Sequence, residues 1–237
     1  TPSAAPIYTA DGAIGGAHKF DGITDFITNQ TTITASGGLT VSAWLKTNKN
    51  EVKNISGYGG FEYTCALMYN GDVYCWGNNA DNAGVIGDGT AILGRYVPTK
   101  TQMTSATLLV AGNHNVCATN SSGMYCWGHN AFGNIGDGTT TNRYAPTKTR
   151  MTPTSGTQIG IGNHNVCATN SSGMYCWGIG LSGVLGDGTS ATENTDPRKN
   201  FMTSPTMVAM FSSTACAANT SGMYCWGYGT NGQLGNG

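Results

Sequence analysis

Charge is what this sequence has least of. Asp, Glu, Lys and Arg together make up 10 % of its residues, against roughly 25 % in an average soluble domain, so long helices solvated by charged faces are not expected. The formal net charge is −1 and no run of Lys or Arg occurs, which removes the electrostatic footprint of a nucleic-acid or anionic-membrane partner. No apolar stretch approaches the ~20 residues of a membrane-spanning helix. The longest, Leu108-Leu109-Val110-Ala111, is strand-sized. No signal peptide is visible and the chain starts at Thr1, which reads as a processed chain or a fragment. Catalytic signatures are missing too. There is no Gly-x-Ser-x-Gly elbow and no unpaired Cys beside a His. The Gly-rich stretch 84–89 and its equivalents carry no Lys-Ser/Thr and open no helix, so they are not phosphate loops. No Cys or His spacing suits zinc. Neither a cofactor nor an enzymatic activity is expected.

Gly, by contrast, numbers 36, and Thr, Asn and Ser are abundant, a composition of short strands joined by tight turns. The tetrapeptide Tyr-Cys-Trp-Gly occurs four times, with Trp76, Trp127, Trp177 and Trp226 about fifty residues apart. Gly-Asp-Gly-Thr recurs in the same phase around Asp88, Asp137 and Asp187, with Asn236 in the fourth Asp position. Pro98, Pro146 and Pro197 precede Met103, Met151 and Met202 at one fixed spacing. Ordered landmarks at one period define a repeat protein, here all-β.

Each copy contains a hairpin. In the second, Asn115-Val-Cys-Ala-Thr119 and Met124-Tyr-Cys-Trp127 read as strands around a turn. If Cys117 faces Cys126, then Thr119 faces Met124, Asn120 faces Gly123, and Ser121-Ser122 is the two-residue loop. The first copy has one extra residue, which a three-residue loop around Asn70-Gly71 absorbs. All eight Cys fall at two repeat positions, predicting the pairs Cys65–Cys75, Cys117–Cys126, Cys167–Cys176 and Cys216–Cys225. The alternative is eight thiols packed as small apolar groups. Four local disulfides imply an oxidising compartment, extracellular or at the cell surface.

The residues that carry these features, Tyr63-Thr-Cys-Ala-Leu67, Val73-Tyr-Cys-Trp-Gly77 and Gly232-Gln-Leu-Gly-Asn-Gly237, resemble the repeat of the regulator of chromosome condensation family, and the similarity runs from about residue 51 to 237. The resemblance implies four-stranded propeller blades. Family propellers commonly have seven; four are present here, the last incomplete. Residues 1–50 do not follow the repeat. Gly15-Gly-Ala-His-Lys-Phe-Asp-Gly22, Asp25-Phe-Ile-Thr28 and Leu39-Thr-Val-Ser-Ala-Trp-Leu-Lys46 are similar to the opening of a laminin G-like, concanavalin-type jelly roll over about residues 14–48. The domain reading is thus a partial jelly-roll-like strand segment, 1–50, and a four-repeat propeller-like domain, 51–237. A partial jelly roll and a truncated blade both leave strand edges that must pair with something.

Several residues invite chemistry and receive a structural reading. His114 and His164 share one repeat position, which is expected to hold them tens of ångströms apart in different blades, each with a structural role. The Gly-Asp-Gly carboxylates form turns, because calcium needs several converging oxygens. The four Trp either line a sugar-binding face or pack between blades; their fixed place beside the staple favours packing. Asn120, Asn170 and Asn219 head acceptor sequons on the hairpin turns, and Asn29 and Asn54 head two more. They are candidate N-glycosylation sites, or Asn placed for the turn alone.

The functional reading is an extracellular or cell-surface structural or adhesive protein that self-associates through the N-terminal strands and open blade edges. The alternative is a monomeric propeller that binds a protein or glycan partner. Nucleotide exchange on a small GTPase, the activity of the family's best-known member, fits poorly with disulfides and with the absence of a basic tail.

Overall fold

The computed structural model describes residues 52–58, 62–79, 83–190 and 192–236, with two short strands nearer the N-terminus. Those strands, β1 (Ile7–Thr9) and β2 (Ala17–Lys19), pair antiparallel with Tyr8 opposite His18. The rest of the jelly-roll reading over residues 14–48, and the sequon at Asn29, lie outside the described residues.

The repeats form four antiparallel sheets. The first contains β3 (Val52–Tyr58), β4 (Tyr63–Met68), β5 (Val73–Asn78) and β6 (Gly94–Lys100). The second contains β7 (Leu108–Ala111), β8 (Asn115–Asn120), β9 (Gly123–Gly128) and β10 (Arg143–Lys148). The third contains β11 (Ile159–Ile161), β12 (Asn165–Asn170), β13 (Gly173–Gly178) and β14 (Asn194–Lys199). The fourth has three strands among the described residues: β15 (Met207–Phe211), β16 (Thr214–Asn219) and β17 (Gly222–Gly227).

Local chemistry sets the register. Asn120 ends β8, and its side-chain oxygen accepts the Ser122 amide at 2.8 Å. The same bond joins Asn170 to Ser172 and Asn219 to Ser221. Each Asn therefore closes a turn around a two-residue loop, which sets Cys117 opposite Cys126, Cys167 opposite Cys176 and Cys216 opposite Cys225. In the first blade Gly71 adopts φ +85 in a three-residue loop closed by Met68 N–H donating to Asp72 O at 2.8 Å. Here Cys65 faces Cys75. All four pairs are disulfide-bonded, with Cα atoms 4.1 Å apart, close to the spacing of non-hydrogen-bonded antiparallel partners. Pro98, Pro146 and Pro197 sit in the outermost strand of their blades, where a missing N–H breaks no ladder bond. That strand shifts register around each Pro.

The core lies between blades rather than within them. The disulfide face of one blade packs on the tryptophan face of the next. Cys65, Leu67, Val73 and Cys75 meet Val116, Ala118 and Trp127. Cys117, Met124 and Cys126 meet Val166, Ala168 and Trp177. Cys167, Met174 and Cys176 meet Ala215, Ala217 and Trp226. One hydrogen bond recurs at every junction. The indole N–H of Trp127 donates to Val85 O, that of Trp177 to Asn134 O and that of Trp226 to Val184 O, each at 2.9 Å. The indole rests on a glycine of the preceding blade. A Cβ on Gly87, Gly136 or Gly186 would lie 2.5, 2.7 or 2.7 Å from the indole nitrogen, and all three have positive φ. Only glycine serves as this seat.

Candidate functional site

The loop that carries each seat continues into Gly-Asp-Gly-Thr. Asp88 accepts from the amide and hydroxyl of Thr90, at 2.9 and 2.7 Å, and from Arg95 Nε at 2.8 Å. Asp137 does the same with Thr139 and Arg143. Burial works against charge at both carboxyls. The hydrogen bonds from Thr and the adjacent guanidinium outweigh it, holding both below the usual carboxylate range. Asp187 keeps its Thr189 contacts and has Arg198 3.8 Å away. The aspartates thus build loops, as their turn motif implies. The Arg partners are not evident from the sequence because their spacing from Asp varies between blades.

These loops seat the outer strand of the next blade. Gly89 N–H donates to Tyr144 O at 2.8 Å, and Gly138 N–H to Thr195 O at 3.0 Å. Gly84 and Gly133 press against the same strands: a Cβ on Gly84 would lie 2.8 Å from Arg143 O, and one on Gly133 2.6 Å from Asn194 O. At the third junction the equivalent Gly183 meets nothing within 4 Å, because the fourth blade has no outer strand among the described residues. The next edge inward is open as well. Thr101 N–H donates to Val73 O, Thr149 N–H to Met124 O and Asn200 N–H to Met174 O in the first three blades; the equivalent carbonyl of Met223 has no such partner among the described residues.

Side chains register the same gap. Met124 and Met174 are fully buried, whereas Met223 is 75 % exposed. Met207 in the same cross-strand row and Tyr224 next to it are exposed too. A groove of about 690 Å³ runs along this side, lined by Gly186, Phe201, Met202, Thr203, Tyr224 and Trp226. Its walls are mainly apolar and its rim offers unpaired backbone groups, which suits an added β-strand. This side of the fourth blade, uncovered among the described residues, is the candidate site.

The histidines depart from expectation. His114 and His164 are not tens of ångströms apart: their rings stack with centroids 4.5 Å apart and an interplanar angle of 11°. His129 lies 5.4 and 5.5 Å from them, and Phe132 is 4.8 Å from His164. Blades packed side by side converge where their inner strands touch, so one repeat position in adjacent blades can meet there. Among the described residues no group of three or more His, Cys, Asp or Glu side chains is placed to hold a metal ion. Burial, then the neighbouring His114 and His129 charges, lower the His164 pKa to about 4. An unfolded His titrates near 6.5. The unfolded chain therefore takes up a proton first as pH falls, and this contribution to stability, complete above about pH 6.5, is lost between pH 6.5 and 4. Allowing for the screening of a half-exposed ring, the loss is about 1–2 kcal/mol. Thermal melts should show His164→Asn falling less steeply than the parent over that window. Parallel slopes would refute the assignment.

The sequon asparagines are structural participants in the turns. Besides accepting at the turn, Asn120, Asn170 and Asn219 donate through Nδ2 to Thr104 O, Thr152 O and Thr203 O. Asn54 donates to Leu109 O of the next blade.

Comparison with known proteins agrees with this geometry. Residues 52–83 match the regulator of chromosome condensation (RCC1) repeat. No curated protein matches the sequence. Among solved structures, yeast RCC1 (Prp20) in complex with Kap60 is similar at TM-score 0.65 and 18 % identity, over 82 % of this chain and 47 % of that one. Prp20p of Saccharomyces cerevisiae is similar at TM-score 0.66 and 19 % identity, over 82 % and 49 %. Human WBSCR16 is similar at TM-score 0.61 and 19 % identity, over 78 % and 50 %. The chain spans about half the length of these structures. At such identities the likeness is one of fold, and that fold is the RCC1-type β-propeller.

Proposed function

We propose that this protein is an extracellular or cell-surface structural or adhesive component that self-associates, with residues 1–50 as a strand-donating segment and 51–237 as the propeller body. The observation that supports this reading is the fourth blade, which among the described residues has three strands where the first three blades have four, with Met223 exposed where Met124 and Met174 are buried. Four disulfides fit an oxidising compartment.

Asn54, Asn120, Asn170 and Asn219 are proposed as glycan sites within this reading, together with Asn29. A single Nδ2–H suffices for each observed bond, so a glycan on that nitrogen is compatible with the turn. An intact mass unchanged by deglycosylation removes this part of the proposal.

Deletion of residues 1–50 is expected to lower the assembled fraction seen by size exclusion with light scattering. A deletion variant that assembles as fully as the parent overturns the role of these strands. A second reading, a monomeric propeller that binds a protein partner, draws on the structural relatives: the Prp20 structures concern binding to Kap60 and to Gsp1p and histones. A parent chain that is monomeric at all concentrations selects it.

A further inference from the structure

One junction carries imidazoles on both of its sides. The turns before β8 and β12 are closed alike, by Gly112 N–H donating to Asn115 O and Gly162 N–H to Asn165 O, each at 2.9 Å. Each turn presents a His at the same point, His114 in the second blade and His164 in the third. His129 is tied to the first of them, its N–H donating to His114 O at 2.9 Å. The Asn113 amide donates to Asn163 Oδ1 from one turn to the other, and the rings of His114 and His164 stack across the same boundary. His129 and Phe132 complete the cluster from the second blade. The first and fourth blades carry Glu62 and Ser213 at this point. Of the three junctions, only the one between the second and third blades therefore sets one imidazole against another.

A neutral stack suits this place and a charged one does not. His164 Nδ1 is buried and has no hydrogen-bond partner among the described residues. An imidazolium carries N–H on both nitrogens, so a protonated His164 would hold a buried donor without an acceptor, beside rings that take up the same charge. His114 and His129 are the groups whose charge bears on His164; no carboxylate among the described residues does. The fourth blade adds only Ser212 and Ser213 next to this turn, with Asn163 N–H donating to Ser212 O at 3.1 Å. We propose that this junction is an acid-sensitive hinge: protonation of the imidazoles stacked across it separates the second and third blades while the other two junctions stay closed. Opening uncovers the apolar surfaces of Met124, Ile135 and Trp177 and the Cys117–Cys126 pair. The hinge goes beyond the self-association reading and does not depend on it.

Each disulfide reports on one junction, because Cys65–Cys75 is covered by the second blade, Cys117–Cys126 by the third and Cys167–Cys176 by the fourth. The full chain is treated with a phosphine reductant, which works in acid, then alkylated with a maleimide and peptide-mapped. This is done at about pH 7 and about pH 4.5, on either side of the ordinary titration of His. The ratio of labelling at Cys117–Cys126 to labelling at Cys65–Cys75 within one sample cancels the pH dependence of the reagents. It should rise about ten-fold on acidification. In His164→Asn, whose fold at neutral pH is verified by circular dichroism, the rise should vanish. His164→Ser, which copies the residue of the fourth blade at this point, serves if the Asn variant does not fold. A parent ratio that does not change with pH overturns the proposal. So does an equal rise in a folded variant without His164, which places the acid response elsewhere in the chain.

Discussion

Trp177→Ala should cost about 3–5 kcal/mol of stability, the range for truncating a large aromatic in a packed core. Trp177 is fully buried, and its indole sits against Gly136, Met124, Ile135 and the Cys117–Cys126 pair. Truncation also leaves Asn134 O without its donor, a further ~1 kcal/mol. Gly136 cannot relax into the space cheaply, because its loop is held by Arg150 N–H donating to Gly136 O at 2.8 Å. Stability in a repeat array is a sum of unit and junction contributions, so the loss falls on the junction between the second and third blades. The unfolding transition should split, or its first step move to lower denaturant. Trp76→Ala provides the internal control. Trp76 is only half-buried and, among the described residues, has no indole bond to a preceding blade, so the loss should be smaller, about 1–2 kcal/mol. Equal losses at Trp76 and Trp177 would show that the indoles act within blades instead of between them.

The hairpins were legible in the sequence because two local constraints agree there. A two-residue loop fixes register, and a one-residue slip would turn the Cys pair and every apolar neighbour to the wrong face. Asn120, Asn170 and Asn219 stand at one place in that register because each closes the same turn. The histidine cluster was not legible. A repeat position fixes where a residue lies along a blade, but not how near adjacent blades approach at that height, and His114 and His164 occupy a height where they touch. The glycine seat was half legible. Gly87, Gly136, Gly186 and Gly235 recur in every copy, even where Asn236 replaces the Asp, so the glycine answers to something other than the Asp-Gly turn. That something is an indole from the next blade, which a search within one repeat cannot find.

Removal of the disulfides should be the most damaging covalent change, and the damage should begin at the fourth blade. Each bond closes a loop of about ten residues, worth about 2.5–3 kcal/mol in the chain-entropy account. Together they contribute about 10 kcal/mol, comparable with the 5–15 kcal/mol that holds an ordinary domain together. Chain unfolded and reduced before dilution should not regain the native circular dichroism spectrum while kept reduced, and Cys167→Ala with Cys176→Ala should lower the melting temperature of an oxidised sample. Recovery of the native spectrum under full reduction would mean that the blades hold without their staples, and would remove the argument for an oxidising compartment. Under native conditions the bonds are not equally reachable. Cys65, Cys75, Cys117, Cys126, Cys167 and Cys176 are fully buried, so a reductant must wait for a blade to open. Cys216 and Cys225 are half-exposed on the uncovered face. Mild reductant followed by alkylation and peptide mapping should label this pair first. Labelling of one of the three buried pairs before Cys216 and Cys225 would show that the fourth blade is not the first to open.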